Sequence, residues 1–386
     1  MQNFLLIIQT LGVGVTEWEK AGIIERELAA LRHLKLLGWE VSIVSTSKKD
    51  FFDQKRIINT YSDFDFIFLG SNPLSSAIRC MALGRKSLFT KMSLGKIDHL
   101  VIRTNQLYCS HLGLIFKYRF KSKLVIRQGF NLVYDVFRDP EISMLYRNFL
   151  KAYEKFFLPK ADLCEFTTEL SYKQSQDRIH KKLKFIVVPN FVDKTNFPIR
   201  LSHQPNISSP IFGFYGRFQA QKNLDNLIKA AKNFPQVRFQ LIGDGPDKNK
   251  LEKLAAELDV KNLEFINRVP QKVISSYYRT WDFAIFPSLY EGNPKAILEM
   301  LFAGVPVLST NVDGIAGLLI DEKNSLMTSE LDSLGISNLI RRALQMDKSK
   351  TKKLTEDGYK TVESTHSLEK VACRMDKAYR GLLHVH

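Results

Sequence analysis

Short apolar runs alternate with helical patterns along nearly the whole of this 386-residue chain. In its first half, the runs that we predict as strands cover residues 1–9, 40–45, 65–69, 99–103, 123–127 and 163–167. A helix between successive strands is the usual crossover of a parallel sheet, and such crossovers place helices on both faces of the sheet. The alternation starts again at Pro210. The pattern therefore predicts an α/β protein with two Rossmann-like domains that face each other across a cleft.

Two glycines, Gly12 and Gly14, follow the first predicted strand, and residues 16–19 have the spacing of a capping box. We predict one helix from this point to Leu37. The turn is a candidate phosphate-binding loop, although a strand-to-helix turn requires glycine with or without a ligand. Glu17 stands where a dinucleotide fingerprint has its third glycine, so the sequence does not predict NAD binding.

Two glutamates, Glu291 and Glu299, are separated by seven residues after the apolar run 282–286. We place Glu291 on the strand-to-helix loop and Glu299 inside a helix that Pro294 begins and that Asn293 is predicted to cap. A helix N-terminus at the carboxyl end of a parallel strand favours anions such as a diphosphate. Carboxylates nearby can accept hydrogen bonds from the hydroxyls of a sugar. Either glutamate alone would be interpreted as a solvated surface residue.

Two cations, Arg217 and Lys222, follow another predicted strand, residues 211–215. Both lie on a strand-to-helix loop, and such loops meet at the carboxyl edge of a parallel sheet. There the two charges could hold a diphosphate leaving group and stabilise its growing negative charge. The alternative is a pair of solvated charges, and the predicted position beside Glu291 argues against it.

Six motifs follow one another in order within residues 210–328. They are Gly216-Arg217 with Lys222-Asn223, Leu241-Ile-Gly-Asp-Gly245-Pro, Phe286-Pro-Ser288, Glu291-Gly292 with Glu299, Ala303-Gly304-Val-Pro306-Val, and Asp313-Gly314-Ile315. Together they resemble the C-terminal domain of the retaining glycosyltransferases of the glycosyl transferases group 1 family. The resemblance implies a GT-B fold, in which the last helix crosses back to the N-terminal domain.

The same resemblance implies roles for individual residues. Arg217 and Lys222 would bind the donor diphosphate, Glu299 the ribose hydroxyls and Glu291 the transferred sugar. Further substrate contacts are expected at Gly12, Gly14, Val269, Gly292, Asn293, Pro294 and Lys295. Retaining enzymes of this fold are thought to use no protein nucleophile, so Glu291, Arg217 and Lys222 would act by positioning and by charge stabilisation. We expect neither a metal ion nor a cofactor.

The resemblance and the restart of the pattern together set the expected domain boundaries. Residues 1–198 would form an N-terminal, acceptor-binding domain, and residues 199–365 a C-terminal domain that binds the nucleotide-sugar donor. Residues 366–386 would form the final helix, whose apolar positions have helical spacing and would pack against the N-terminal domain.

The sequence departs from the family pattern at two places. Arg127 ends a predicted strand near the point where many relatives have a histidine, so we expect Arg127 to act as a further catalytic residue that contacts the donor sugar, an acidic acceptor or a phosphate. The alternative is a surface arginine at a strand end. After Asp313-Gly314-Ile315, relatives usually continue with Pro-Glu, whereas this chain has Ala316 and Gly317, which weakens any inference about how that loop contacts a donor.

Positive charge is concentrated in the first half of the chain. Residues 1–200 hold 31 Lys and Arg against 19 Asp and Glu, a net charge of +12, whereas residues 201–386 hold 25 against 21, a net charge of +4. The densest stretch, residues 117–123, interleaves basic and aromatic side chains. Such a segment can dock at an anionic membrane surface or be a solvated helix end. We expect no nucleic-acid partner.

The four cysteines, Cys80, Cys109, Cys164 and Cys373, have no metal-ligand spacing, and we expect each to be a small buried apolar residue. The first apolar run is too short for a signal peptide and lacks basic residues before it. These features predict a cytoplasmic protein, or one that is peripheral at the inner face of the membrane.

The sequence therefore predicts a metal-independent, retaining glycosyltransferase of hexosyl type. It would move a sugar from a nucleoside diphosphate to a glycan or a lipid-linked acceptor, in the synthesis of cell-surface polysaccharide or glycolipid. Two alternatives stay open. One is a binding or scaffold protein that keeps the nucleotide-sugar pocket without turnover, and the other is a nucleotide-sugar epimerase of related fold.

Overall fold

The computed structural model describes residues 2–70, 99–129, 133, 142–194, 199–201 and 205–384. The chain forms two compact units, Met1–Pro189 with Val371–His386, and Asn190–Lys370. Each unit contains one parallel β-sheet with helices between its strands. The predicted fold class, an α/β protein with two parallel-sheet domains, is confirmed.

The sheet of the N-terminal unit has seven parallel strands in the order β3-β2-β1-β4-β5-β6-β7. They are β1 (Asn3–Ile8), β2 (Trp39–Ser45), β3 (Asp65–Phe68), β4 (Leu100–Thr104), β5 (Lys123–Gln128), β6 (Leu163–Phe166) and β7 (Phe185–Val187). Ile7 of β1 pairs with Ile43 of β2 on one side and with Arg103 of β4 on the other. Apolar side chains of the central strands form much of the core, as expected for strands that helices cover on both faces.

The helices of this unit fill the intervals between the strands. They are α1 (Val15–Lys20), α2 (Ile24–Leu36), α3 (Lys48–Phe52), α4 (Gln54–Thr60), α5 (Ser110–Phe120), α6 (Met144–Phe157) and α7 (Glu169–Ile179). The prediction of one helix from residue 16 to Leu37 is wrong. Gly22 has φ +65°, a left-handed conformation that ends α1, and α2 begins two residues later.

The sheet of the C-terminal unit has six parallel strands in the order β10-β9-β8-β11-β12-β13. They are β8 (Ile211–Tyr215), β9 (Arg238–Ile242), β10 (Leu263–Ile266), β11 (Phe283–Phe286), β12 (Val307–Thr310) and β13 (Leu326–Thr328). Its helices are α8 (Leu224–Ala231), α9 (Lys248–Glu257), α10 (Gln271–Tyr278), α11 (Lys295–Ala303), α12 (Ser333–Leu344) and α13 (Lys348–His366). The strand order reverses between β8 and β11, which makes the carboxyl ends of these two strands a topological switch point, where open α/β sheets bind ligands.

The last helix, α14 (Leu368–Leu383), is bound to the N-terminal unit. Trp39 Nε1 donates to Asp376 Oδ1 at 2.7 Å, and Arg380 donates to the carbonyl oxygen of Leu37 at 2.6 Å. Tyr379 is completely buried. These contacts join the end of the chain to β2 and to the turn before it.

A buried charge cluster lies where α14 meets the sheet. Glu165 of β6 accepts two hydrogen bonds from Arg103 of β4, at 2.9 and 2.6 Å, and one from Tyr379 Oη at 2.6 Å. Arg127 Nε is 3.1 Å from the same carboxylate. Burial raises the pKa of Glu165, but the charge and hydrogen bonds of Arg103 outweigh burial, so the net pKa lies below its ordinary value of 4.5.

We predict that Glu165→Gln destabilises the folded protein at neutral pH by about 3–5 kcal/mol, because two arginines then stay buried without a carboxylate. The lowered pKa means that Glu165 stabilises the native state above pH 4.5 and that this contribution disappears as the pH falls through the native pKa. The free-energy difference between wild type and variant, measured by urea unfolding, should therefore shrink below that pH. Glu169→Gln, at an exposed position of the same unit, is the control. Equal effects of the two substitutions would contradict the prediction.

Candidate functional site

The loops after β8 and β11 lie side by side and are joined by hydrogen bonds. The backbone N–H of Leu289 donates to the carbonyl oxygen of Gln221 at 2.8 Å, and Gln221 Nε2 donates to the carbonyl oxygen of Tyr290 at 2.8 Å. Buried Asn223 donates through Nδ2 to the carbonyl oxygen of Pro287 at 3.0 Å. The two loops therefore form one structural assembly at the switch point of the sheet.

Glu291 and Lys222 meet on this assembly. Lys222 Nζ donates to Glu291 Oε1 at 2.5 Å, and Ser288 Oγ donates to the same oxygen at 2.7 Å. The side chains of Lys222 and Glu291 are 17% and 7% exposed. Within the described part of the chain, both contacts to the carboxylate go to Oε1, which leaves Oε2 as an acceptor for a ligand hydroxyl. The predicted proximity of Lys222 and Glu291 corresponds to a direct ion pair.

Gly314 fixes the backbone of the Glu291 loop from the other side. Glu291 N donates to the carbonyl oxygen of Asp313 at 3.1 Å. Gly314 has φ +83°, and a Cβ atom at this position would lie 1.9 Å from the carbonyl oxygen of Glu291. Glycine is required here both by the left-handed backbone and by the close approach of another chain segment.

The first turn of α11 has no side-chain cap. The prediction that Asn293 caps this helix is wrong, since Pro294 occupies the N-cap position and no side chain accepts from the first turn. Instead, the carbonyl oxygen of Asn293 accepts a hydrogen bond from Asn190 Nδ2 at 2.6 Å. Helix α11 therefore begins without a side-chain N-cap, and its N-terminus carries the partial positive charge of the helix dipole. Lys295 is the first residue of this helix.

The remaining predicted residues of this unit are spread around the same edge of the sheet. Glu299 lies in the second turn of α11 and is buried. Burial, together with the charge of Glu299, raises the pKa of Tyr278. A Cβ atom on Gly292 would meet no atom within 4 Å, so this backbone is accessible. Val269 follows β10 and packs partly against the core.

Arg217 is an exposed side chain immediately after β8. A Cβ atom on Gly243 would lie 1.9 Å from the carbonyl oxygen of Gly216, the residue before Arg217. Glycine at position 243 therefore allows the loops after β8 and β9 to touch. Among the described residues, no carboxylate forms an ion pair with Arg217, in contrast to Lys222.

Carboxylates occupy the amides at the end of the Gly12–Gly14 turn and at the start of α1 in the N-terminal unit. Buried Asp50 accepts from the N–H of Val15 at 2.7 Å and from that of Thr16 at 2.9 Å. Glu17 accepts from the N–H of Gly14 at 2.9 Å. A Cβ on Gly14 would lie 2.1 Å from Asp50 Oδ2, whereas one on Gly12 would meet nothing within 4 Å. A phosphate could bind the amides of residues 14–16 only by displacing these side chains.

Arg127 is neither a surface side chain nor a free cation. Its guanidinium lies beside Glu165, as described above, and donates weakly to Asn105 at 3.4 Å. Burial and the neighbouring charge of Arg103 lower the pKa of Arg127. No sequence pattern indicated Glu165 as a partner of Arg127. Glu165 lies 38 residues further along the chain and reaches Arg127 through the pairing of β5 with β6.

The structure describes three of the four cysteines, and two of them are buried. Cys109 and Cys164 are buried as predicted, Cys80 lies outside the described residues, and the prediction of burial is wrong for Cys373, which is exposed.

The sequence contains an Asp-x-Asp tripeptide at residues 63–65, a spacing that can hold a metal ion. It lies at the amino end of β3, where Asp63 binds Arg32. In the described ranges, no cluster of three His, Cys, Asp or Glu side chains is arranged to hold a metal ion.

Ser288, Asn223 and Asn190 are the site residues to which the sequence assigned no ligand role. Ser288 and Asn223 stand in motifs that carried the family resemblance, but only the structure shows that one binds Glu291 and the other bridges two loops. Asn190 follows a valine-rich strand end and has the sequence signature of a turn, so its contact with Asn293 could not be inferred from pattern alone.

Comparisons with known proteins agree with this geometry. Residues 198–361 match the model of the family described as glycosyl transferases group 1. The chain is 30% identical over 164 residues to the lipopolysaccharide core biosynthesis glycosyltransferase LpsE of Rhizobium meliloti, and the match covers 42% of this chain and 47% of that protein. The chain spans about half the length of the curated relatives that it matches.

Two solved structures are similar over nearly all of the chain. The sucrose-phosphate synthase from Thermosynechococcus elongatus has a TM-score of 0.74 at 20% identity, with 99% of each chain covered. Anabaena Alr3699/HepE in complex with UDP-glucose has a TM-score of 0.71 at 16% identity, with 98% of this chain and 99% of that chain covered. Residues 198–361 of this chain are therefore similar to the glycosyl transferases group 1 family, and the two units have the parallel-sheet α/β architecture of the GT-B fold.

Proposed function

We propose that this protein is a retaining glycosyltransferase that moves a hexose-type sugar from a nucleoside diphosphate to a glycan or lipid-linked acceptor. The observation that carries the proposal is the Lys222–Glu291 pair at the switch point of the C-terminal sheet, beside the uncapped N-terminus of α11. A cation, a fixed carboxylate and a helix N-terminus are the groups that a sugar diphosphate requires at neighbouring positions.

The donor diphosphate would be bound by Arg217, Lys222 and the first turn of α11. Lys222 uses one of its three N–H donors on Glu291, so two remain for phosphate oxygens. Arg217 is exposed and adds a planar donor set for a second phosphate. Because negative charge grows on the diphosphate as the glycosidic bond breaks, these groups would stabilise the transition state more than the ground state.

The carboxylates would orient the two sugars of the donor. Ser288 and Lys222 fix Oε1 of Glu291, and Oε2 would then accept a hydroxyl of the transferred sugar. Glu299, which is buried in the second turn of α11, would accept the ribose hydroxyls. The backbone at Gly292 lets a ligand approach closely, and the segment around Val269 would line the base.

The chemistry would proceed on one face of the sugar. The anomeric carbon loses its bond to the diphosphate oxygen and forms a bond to the acceptor oxygen, while the acceptor proton passes to the departing diphosphate. The protein supplies alignment and charge stabilisation, without a covalent intermediate. Arg127 is the proposed contribution of the N-terminal unit, where its position at the end of β5 and its ion pair with Glu165 hold it in place.

The names of similar proteins bear on the proposed donor and acceptor. LpsE is named for lipopolysaccharide core biosynthesis, and HepE was solved with UDP-glucose. These names favour a UDP-sugar donor and an acceptor that belongs to a cell-surface polysaccharide or glycolipid. Within the described ranges, none of the helices is both long and apolar enough to cross a bilayer. We propose a cytoplasmic protein that docks at the inner face of the membrane.

A donor screen tests the function directly. We expect one family among UDP-, GDP-, ADP- and dTDP-sugars to raise the melting temperature and to be hydrolysed slowly, with the anomeric configuration of the released sugar retained by NMR. EDTA should leave the rate unchanged, because the proposed charge stabilisation comes from Arg217, Lys222 and α11. Binding without hydrolysis or transfer to any glycan or lipid-linked acceptor would favour the scaffold alternative. Epimerised donor would favour the epimerase, and no response to any donor would contradict the proposal.

Removing the phosphate-binding charges should impair turnover without unfolding the protein. We expect Arg217→Ala and Lys222→Ala each to lower kcat/KM by roughly 100-fold or more, the effect of losing one charge-stabilising donor. Arg341→Ala, which removes an exposed arginine of α12 in the same unit, is the control. Unchanged turnover in both site variants would remove these residues from the mechanism.

Two glycines of one loop allow a matched test of the Glu291 backbone. Gly314 and Gly317 both have positive φ, so replacement by alanine costs about 1–2 kcal/mol of backbone strain at either position. Only at position 314 would the new Cβ collide with Glu291. Gly314→Ala should therefore weaken donor binding at least tenfold more than Gly317→Ala, as measured by titration calorimetry. Equal donor affinities would contradict the proposed role of this contact.

A further inference from the structure

Helix α6 of the N-terminal unit exposes a row of large apolar side chains. Leu145, Phe149 and Phe156 are 84%, 48% and 55% exposed. They follow one another at intervals of four and seven residues, so with Ala152 they form a single stripe along about three turns of the helix. The exposed side chains of Met144 and Tyr146 extend the apolar surface at the start of α6.

The other side of α6 fixes the helix to its unit. Leu150 and Glu154 are completely buried, and Glu154 accepts hydrogen bonds from Arg178 and from Gln128. The apolar stripe is thus separate from the face by which α6 packs against the sheet and α7. Packing among the described residues of the N-terminal unit therefore does not account for Leu145, Phe149 and Phe156.

The exposed charged side chains of α6 itself are of one sign. Lys155 is exposed beside it, and Lys160, just after the helix, places its Nζ atom 4.3 Å from the ring centre of Phe156. Arg147 and Lys151 lie on the same helix and are half-buried. Glu154 is the only acidic residue of α6, and its carboxylate is buried against Arg178. The helix therefore presents apolar groups and cations, and its surface carries no carboxylate.

The basic segment that the sequence singled out adjoins this surface. Lys117 Nζ donates to the carbonyl oxygen of Lys160 at 2.9 Å, which joins the end of α5 to the end of α6. Tyr118 is 70% exposed, and it is flanked in sequence by Arg119 and Lys121. Residues 117–123, with their interleaved aromatic and basic side chains, therefore adjoin the end of the apolar stripe.

We propose that this surface, formed by the exposed side of α6 with Lys160 and residues 117–121, docks the protein on an anionic phospholipid membrane. Leucine and phenylalanine side chains enter the boundary between headgroups and acyl chains, while the neighbouring lysines and arginines bind lipid phosphates. A helix that exposes an apolar stripe and cations without a carboxylate is complementary to such a surface and not to an acidic protein surface, which would leave the phenylalanines in water. Lys117 is paired with Asp162 at 2.8 Å, so the positive charge comes from Lys155, Lys160, Arg119 and Lys121. The inference deepens the peripheral location proposed above, but its test requires no turnover.

The test is binding of the full chain to vesicles, measured by co-sedimentation. We expect binding to vesicles of phosphatidylcholine and phosphatidylglycerol in equal amounts, and little binding to phosphatidylcholine alone. The double variant Phe149→Ser with Phe156→Ser should lose most of this binding. The control is Leu36→Ser with Phe52→Ser, which removes two side chains that are 82% and 77% exposed elsewhere in the same unit.

Charge substitutions test the electrostatic part separately. Lys155→Gln and Lys160→Gln should each weaken binding to the anionic vesicles roughly fivefold, and added salt should weaken binding of the wild type. Melting temperatures establish that every variant is folded. Arg217→Ala should bind vesicles like wild type, so failure of membrane docking and failure of the proposed activity are distinguishable.

Three results would overturn the proposal. One is absence of binding to anionic vesicles, and another is equal loss of binding in the stripe and control variants. The third is self-association of the purified protein that the stripe substitutions abolish while vesicle binding persists, which would assign the apolar stripe to a contact between two copies of the chain.

Discussion

Hydrogen bonds between the loops after β8 and β11 hold the candidate site together. Gln221 and Asn223 bind the backbone of the Glu291 loop through their amide groups, and the Lys222–Glu291 ion pair lies between these contacts. Gly314, which follows β12, lies against the backbone of the same loop. Because three segments meet at the switch point of one sheet, backbone contacts fix the loop that carries Glu291, and Lys222 and Ser288 orient its carboxylate.

The buried cluster around Glu165 performs a comparable task in the N-terminal unit. A single carboxylate lies between Arg103 and Arg127 and also accepts a hydrogen bond from Tyr379 of the last helix. Buried charges are tolerated only when they are paired and hydrogen-bonded. The cluster thus ties three sheet residues to α14. It also explains why an arginine can stand at the end of β5, where the sequence alone suggested either a ligand-binding side chain or a solvated one.

Local signals were sufficient for β1–β6, β8 and β11. Each of these strands is a short and largely apolar run, as expected for strands that helices cover on both faces, so the pattern is readable without tertiary information. Failures occurred where neighbours in space decided the outcome. Gly22 breaks a periodic pattern into two helices. Asn293 is not the cap of α11, because Pro294 occupies that position, and the carbonyl oxygen of Asn293 accepts from Asn190 of another segment. The amides of Val15 and Thr16, just after the Gly12–Gly14 turn, are occupied by Asp50, which lies more than thirty residues away in sequence.

The sequence by itself determined the class of fold, the position of the donor-type motifs and the identity of the charged residues at the carboxyl ends of β8 and β11. These properties depend on periodicity and on residue type, which are written along the chain. Tertiary structure alone decided the pairing of Lys222 with Glu291, the burial of Arg127 against Glu165 and the exposure of the apolar stripe on α6. The first two are contacts between segments far apart in sequence, and the third is a surface that no described segment covers. Such relations arise only when sheets and helices pack.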